Sequence, residues 1–166
     1  MTPGFDELFA AHHRKVFRAA YRVTGSTQDA EDILQSVFLR LLQRRDGLEG
    51  GGDNPAGYLC RSAINASIDL LRSRARSPGE SLIEEMHASE DGADDGVRQA
   101  EIRKQLRTAM LALEPGTAEV FALRYFEEFS NREIAVLLDT TPNSVAVTLH
   151  RARARLQDLL GEFTDS

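Results

Sequence analysis

The sequence predicts an all-α protein of two small helical domains joined by a flexible acidic linker, with a helix-turn-helix in the second domain. Apolar residues recur at helical spacing along the chain, and no strand-like alternation interrupts them. The composition changes between residues 78 and 101, where eight acidic residues and three glycines accompany a single arginine. We therefore expect domains at residues 1–77 and 97–166, with the linker over residues 78–96.

The first domain is predicted to contain three helices. One begins at Phe5 and stops at Gly25, after which Ser26 and Thr27 supply a new cap. The next, "DAEDILQSVFLRLLQRR", has carboxylates in its first turn and arginines in its last, as the helix dipole favours. The Gly-, Asp- and Pro-rich "DGLEGGGDNP" breaks the pattern, and "AGYLCRSAINASIDLLRSRAR" then forms a third helix that ends near Arg76.

The second domain is predicted to end in a helix-turn-helix. Its first helix stops at Pro115-Gly116, "TAEVFALRYFEEF" forms another, and two short helices follow. Ser130 and Glu133 have the spacing of a capping box, while Thr141 is suited to cap the last helix and Pro142 to begin it. Such a pair of helices presents the exposed N-terminal residues of its second helix to the major groove, and arginines farther along hold phosphates.

Charge is distributed unevenly along the chain. The whole protein has 26 acidic against 20 basic residues and a pI near 5.3, which argues against a basic coat for nonspecific nucleic-acid binding. Outside residues 78–101, however, 18 acids stand against 19 bases. A local DNA-binding surface is therefore compatible with the acidic total.

Several other classes of protein are excluded. The single cysteine, Cys60, permits no internal disulfide and no multi-cysteine zinc site, which favours the reducing cytoplasm as the protein's compartment. We expect its side chain to be a small buried apolar group. We recognise no signal peptide and no apolar run long enough for membrane insertion. The adjacent His12 and His13 point to different helix faces, and no phosphate-binding loop or activated nucleophile is present. We expect no enzyme activity, no cofactor and no metal.

Three segments together resemble the extracytoplasmic-function (ECF) group of bacterial RNA polymerase sigma factors, within the sigma-70 family. They are "DAEDILQSVFLRLLQ", "YLCRSAINASIDLLRSRAR" and "ALEPGTAEVFALRYFEEFSNREIAVLLDTTPNSVAVTLHRARARL". The resemblance covers nearly the whole chain outside the linker. It implies that the protein binds core RNA polymerase and directs promoter recognition and transcription initiation, with an anti-sigma protein as a further candidate partner.

The resemblance also assigns roles to the first domain. It implies that the second helix faces the coiled coil of the largest polymerase subunit through Asp29, Asp32, Gln35 and Phe38. The third helix would contact the minus-ten DNA, with Asn65 and Tyr58 near the displaced strand and Arg61, Arg72 and Arg76 at phosphates. Residues 47–54 would lie where a flipped base is captured. The family usually has a tryptophan before the leucine of this helix, where this chain has Tyr58 before Leu59, and the chain contains no tryptophan.

In the last helix the helix-turn-helix pattern indicates DNA contacts, and the resemblance implies that the DNA is the minus-thirty-five element. The residues concerned are Asn143, Ser144, Val147, His150, Arg151 and Arg155. Where the family often has a basic residue, a serine and an arginine, this chain has Ala146, Val147 and Thr148. Either the recognised sequence differs, with Val147 touching a thymine methyl, or this contact is weak.

Two alternatives from other classes stay open at this point. One is a ligand-sensing transcriptional regulator that binds an operator through the helix-turn-helix, and the other is an adaptor whose domains bind only protein. DNA binding with and without core polymerase distinguishes the three, because only a sigma factor needs the core enzyme for specific binding.

Overall fold

The computed structural model describes residues 4–44, 54–77 and 93–164 of the chain. Within these ranges the protein forms helices and no strands. In chain order they are α1 (Phe5–Thr24), α2 (Thr27–Gln43), α3 (Pro55–Arg76), α4 (Ala93–Leu111), α5 (Pro115–Tyr125), α6 (Asn131–Leu138) and α7 (Pro142–Thr164). The predicted all-α fold is confirmed.

The N-terminal domain consists of α1, α2 and α3, and its helix ends follow from local chemistry. Gly25 ends α1 in the left-handed conformation, φ 69°, and donates its N–H to the carbonyl of Tyr21. Ser26 then caps α2 by accepting a hydrogen bond from the N–H of Asp29 at 3.2 Å. Asn54 caps α3 in the same way through Gly57. The three helices meet along their apolar faces.

The core of this domain contains the residues whose spacing predicted the helices. It includes Cys60, which is 1% exposed, and burial raises the pKa of its thiol to about 11. The other side chains of this domain with at most 1% exposure are Val16, Ala19, Ala20, Val23, Ala30, Leu59, Ala63, Ile64 and Ser67. The cysteine is therefore a packing residue, as the sequence indicated.

The C-terminal domain consists of α4, α5, α6 and α7, and α7 is longer than expected. The sequence suggested two short helices at the end of the chain, but only α6, with 8 residues, is short. Helix α7 has 23 residues, and its Leu159 and Leu160 pack against the core beyond the arginine-rich segment. That added apolar contact extends the helix past the predicted helix-turn-helix.

The predicted linker lies mainly outside the described residues. Residues 78–92 belong to that part of the chain, whereas α4 already begins at Ala93, before the expected linker end at residue 96. The limits of the two domains at residues 77 and 97 stay predictions. Residues 47–54, predicted to lie where a flipped base is captured, are also outside the described residues, except for the capping residue Asn54.

Helix α3 joins the two domains, because it packs against α5 and α4 as well as against α1 and α2. Gly57 on α3 makes close packing possible there: a Cβ at this position would meet the Leu137 side chain of α6 at 3.0 Å. Arg107 of α4 lies against Gly25 at the end of α1, and burial lowers the pKa of its guanidinium. The two domains therefore form one packed arrangement in this structure.

Candidate nucleic-acid and partner interfaces

The helix-turn-helix is built by the local contacts that the sequence predicted. Ser130 and Glu133 form the reciprocal capping box, with N···O distances of 2.9 and 3.1 Å. Asp139, at φ 56°, takes the left-handed conformation that ends α6. Thr141 then accepts a hydrogen bond from the N–H of Ser144 at 3.1 Å, which caps α7. These contacts fix the angle at which α7 leaves α6.

The apolar face of α7 holds it against the rest of the domain. Val145, Leu149, Ala152 and Leu156 are all buried, at the spacing of one helix face. Ala135 of α6 is 2% exposed, and its small side chain suits the close approach of the two helices. The opposite face of α7 is consequently free of packing within the described chain.

All six residues predicted to contact the minus-thirty-five element are exposed. They are Asn143, Ser144, Val147, His150, Arg151 and Arg155. Val147 keeps 42% of its surface accessible, so its methyl groups are available for contact with a base methyl group. Arg153 lies on the other flank, where it donates a hydrogen bond to the hydroxyl of Tyr125. The structure thus brings the predicted set together on one surface.

The exposed side of α2 forms a second surface, which we call the α2 surface: Asp32, Gln35, Leu39 and Leu42. Asp32 and Gln35 are exposed, as the sequence predicted. Leu39 and Leu42 are 54% and 60% exposed, so this surface combines an acidic and amide-bearing half with an apolar half. Sequence reasoning did not assign the two leucines to this surface, although their spacing from Asp32 and Gln35 places them on the same helix face.

Two residues of α2 that were predicted to bind a partner are not part of the α2 surface. Phe38 is 2% exposed and packs edge to face against Phe5 and Phe9, with ring centroids 6.0 and 5.0 Å away. Asp29 is 7% exposed and accepts hydrogen bonds from Arg74 of α3 at 2.5 and 2.8 Å. The expectation that these side chains face a partner is corrected: one fills the core and the other ties α2 to α3.

The residues predicted to hold the minus-ten DNA are mostly engaged by the C-terminal domain. One carboxylate oxygen of Glu119 accepts hydrogen bonds from Arg61 at 2.7 Å and Asn65 at 2.6 Å. Arg72 donates to the carbonyl of Leu113 at 2.5 Å. Of the three arginines predicted to contact phosphates, Arg61 and Arg72 are partly buried and Arg76 is exposed. Sequence reasoning missed Glu119, whose position in "TAEVFALRY" resembles that of any acid on a helix.

Tyr58 occupies the position of the missing tryptophan. Its side chain is partly buried, and its hydroxyl accepts a hydrogen bond from Arg44, whose guanidinium also lies 5.6 Å from the ring centroid. The ring therefore lies beside Arg44, the residue that follows α2.

A further ion pair joins the two domains near the end of α1. Arg22 donates to the carbonyl of Phe126 at 2.6 Å and to the carboxylate of Glu127 at 3.2 Å. Burial raises the pKa of Glu127, and the neighbouring Arg22 opposes part of that rise. The contact adds charge pairing to the packing of α3 on α5.

The described ranges offer no group of three His, Cys, Asp or Glu side chains that could hold a metal ion. His13 stacks on Phe9, with centroids 4.8 Å apart and planes 5° from parallel.

No helix of the described chain is long and apolar enough to cross a membrane.

Comparison with known families agrees with this geometry. Residues 8–77 match the family described as Sigma-70 region 2, and residues 103–156 match Sigma-70, region 4. The first match covers most of α1 and all of α2 and α3, and the second includes the helix-turn-helix.

Similar proteins cover nearly the full chain. RNA polymerase sigma-E factor of Streptomyces avermitilis is 32% identical over 94% of this chain and 84% of its own length. RNA polymerase sigma factor CarQ of Myxococcus xanthus is 30% identical over 96% and 90%. ECF RNA polymerase sigma factor SigE of Mycolicibacterium smegmatis is 29% identical over 98% of this chain, which spans 63% of that relative.

A solved structure shares the fold. The sigma factor RpoE from Bartonella quintana, determined in complex with the anti-sigma factor NepR, superimposes with a TM-score of 0.60. It is 22% identical, and the match covers 95% of this chain and 96% of that one. The chain therefore belongs to the ECF group of bacterial RNA polymerase sigma factors, which are transcription initiation factors that bind core polymerase and promoter DNA.

Proposed function

We propose that this chain binds core RNA polymerase through the α2 surface and directs initiation by contacting two promoter elements, the minus-ten element with α3 and the minus-thirty-five element with α7. The exposed polar face of α7 above a buried apolar face is the observation that carries the DNA-binding part of the proposal. Since polymerase and chromosomal DNA are its partners, the protein acts in the bacterial cytoplasm.

Core binding is assigned to the α2 surface because it combines charge with exposed apolar area. Asp32 can pair with a basic side chain on a partner helix, and Gln35 can exchange hydrogen bonds with it. The side chains of Leu39 and Leu42 are about half exposed, and a partner that binds here would cover their apolar surface. Asp29 and Phe38 support this surface from beneath.

The minus-ten role is assigned to α3 through Tyr58, Arg61, Asn65, Arg72 and Arg76. An aromatic ring that stacks on an unpaired base and arginines that track the backbone are the combination used by single-strand binding proteins. Tyr58 supplies the ring, and the three arginines follow one another along α3. This assignment requires that Arg61, Asn65 and Arg72 leave their contacts with the C-terminal domain.

An anti-sigma protein is a further proposed partner. The Bartonella neighbour was determined together with NepR, and the family resemblance extends the same class of partner to this chain. The two alternatives, a ligand-sensing regulator and an adaptor, receive no support from the family matches, because both matched regions are those of sigma factors.

The core-binding assignment predicts that Asp32→Lys combined with Gln35→Ala weakens association with core polymerase about tenfold, through lost pairing and like-charge repulsion. Both side chains are exposed, so the variant should keep its fold. Fluorescence titration of labelled protein with purified core enzyme measures the dissociation constant. Glu7→Lys, an exposed charge reversal on α1 and so outside the α2 surface, is the matched control. An unchanged dissociation constant in the double variant would remove α2 from the polymerase interface.

A further inference from the structure

The end of α2 and the beginning of α3 border a cleft of about 420 Å³. Arg40 and Arg44 line it from the side of α2, and Tyr58 and Ser62 line it from α3. Its walls therefore combine two cationic side chains with one aromatic ring. Surfaces that bind single-stranded nucleic acid use the same combination of groups.

Local hydrogen bonds fix the backbone on both sides of this cleft. Arg44 follows α2 and donates its N–H to the carbonyl of Arg40 at 3.1 Å. Tyr58 donates its N–H to the carbonyl of Asn54 at 3.1 Å, in the capped first turn of α3. The hydroxyl of Ser62 donates to the carbonyl of Tyr58 at 3.1 Å. The side chains of Arg44 and Tyr58 consequently leave the backbone from defined positions.

Arg44 makes two contacts with Tyr58 across the cleft. Its Nη1 donates a hydrogen bond to the tyrosine hydroxyl, and its guanidinium carbon lies 5.6 Å from the ring centroid, within the range of a cation–π interaction. A tyrosine side chain has two rotatable torsions, which set the direction of the ring and its rotation about its long axis. The hydrogen bond holds the far end of the ring, and the cation–π contact limits the rotation. Arg44 therefore restrains both torsions.

This restraint matters at Tyr58 because the residue stands where the family usually has a tryptophan. A phenol ring has less area than an indole with which to pack against its neighbours. Its hydroxyl, however, gives Arg44 a polar group to hold. Both residues belong to the N-terminal domain, so their contact does not depend on the placement of the C-terminal domain.

We propose that Arg44 is a positioning residue for strand opening, which holds the Tyr58 ring in the orientation at which an unpaired base of the minus-ten element stacks on it. The inference rests on the proposed minus-ten role of Tyr58. A ring that is already oriented loses less conformational entropy when the base binds, so stacking on it contributes more to affinity. Arg44 acts through the ring and its hydroxyl.

The test measures the rate of strand opening by the reconstituted holoenzyme on a promoter selected from a randomised library. Permanganate reactivity of thymines in the minus-ten element reports unpaired bases over time. Tyr58→Phe keeps the ring and removes the hydroxyl, and Arg44→Ala removes the donor. Each variant should open the promoter about fivefold more slowly than the parent. Since both changes break the same contact, the double variant should open about as slowly as either single variant.

Two further variants serve as rescue and control. Arg44→Lys keeps a cation and an N–H donor, and its opening rate should lie within about twofold of the parent. Arg40→Ala removes the same charge from the same cleft, one turn earlier, and should also stay within about twofold. Circular dichroism checks that each variant keeps its helices, and titration with core enzyme ensures that the polymerase is saturated.

Tyr58→Ala removes the ring and distinguishes the positioning role from the minus-ten role itself. If it slows opening while Tyr58→Phe and Arg44→Ala open like the parent, the ring acts without Arg44, and the proposal alone is overturned. A double variant about 25-fold slower than the parent, the product of two separate effects, would show that Arg44 acts independently of the hydroxyl and would overturn it as well. If Tyr58→Ala opens like the parent, the minus-ten role of Tyr58 fails, and the positioning role fails with it.

Discussion

Replacing Arg151 and Arg155 together with alanine is expected to weaken binding of the polymerase complex to upstream promoter DNA about a hundredfold, with little change in the preferred sequence. Both guanidinium groups are exposed on the same flank of α7. Contacts to phosphates carry no direct sequence information, so their loss affects all sequences alike. Each lost contact should reduce the slope of log affinity against log salt by roughly one unit.

The measurement is a salt titration of the complex on duplexes chosen from a randomised upstream element. Arg153→Ala is the matched control: it removes the same charge from the same helix, but from the flank that contacts Tyr125. Asn143→Ala and Val147→Ala should instead change which element is selected, since both lie on the exposed N-terminal half of α7. A double arginine variant with the parental salt slope would show that these residues do not contact phosphates.

The second large effect is expected at Ile134, which is 0% exposed where α6 meets α7. Ile134→Ala removes buried apolar volume and should lower the free energy of unfolding by about 3 kcal/mol. A domain with a net stability of about 5–15 kcal/mol would lose much of its margin, and α7 would lose the support that orients it. Urea unfolding followed by circular dichroism measures the change.

Val136→Ala is the control for this prediction, because Val136 lies on the same helix with 76% of its surface exposed. Its effect on the free energy of unfolding should stay within about 0.5 kcal/mol. Equal destabilisation by the two variants would mean that α6 does not pack as the structure shows.

The parts of the fold that depend on local chemistry could be predicted from the sequence. The Ser130–Glu133 capping box and the Thr141 cap are formed by neighbours along the chain, so their spacing is sufficient evidence. The exposure of the six residues of α7 could also be predicted, because the apolar residues of this helix lie on one face and leave the other face to solvent.

The remainder depends on contacts between distant segments. The family resemblance implies that Asp29 faces a partner, and acids in a first helical turn are usually exposed, yet Arg74 of another helix binds it. Phe38 and Leu42 both fit an apolar pattern, and only the packing of α1 shows that the first is buried and the second exposed. Glu119 and its partners on α3 are separated by the linker, so no local periodicity relates them.

Transcription in vitro with purified core polymerase on a library of randomised promoters tests the central claim most directly. The account predicts discrete transcripts that require both this chain and the core enzyme, from templates sharing two elements at a fixed spacing. Specific duplex binding should likewise appear only when core polymerase is present. Equal specific binding by the chain alone, or no transcription dependent on the chain while it binds core polymerase, would contradict its assignment as a promoter-directing sigma factor.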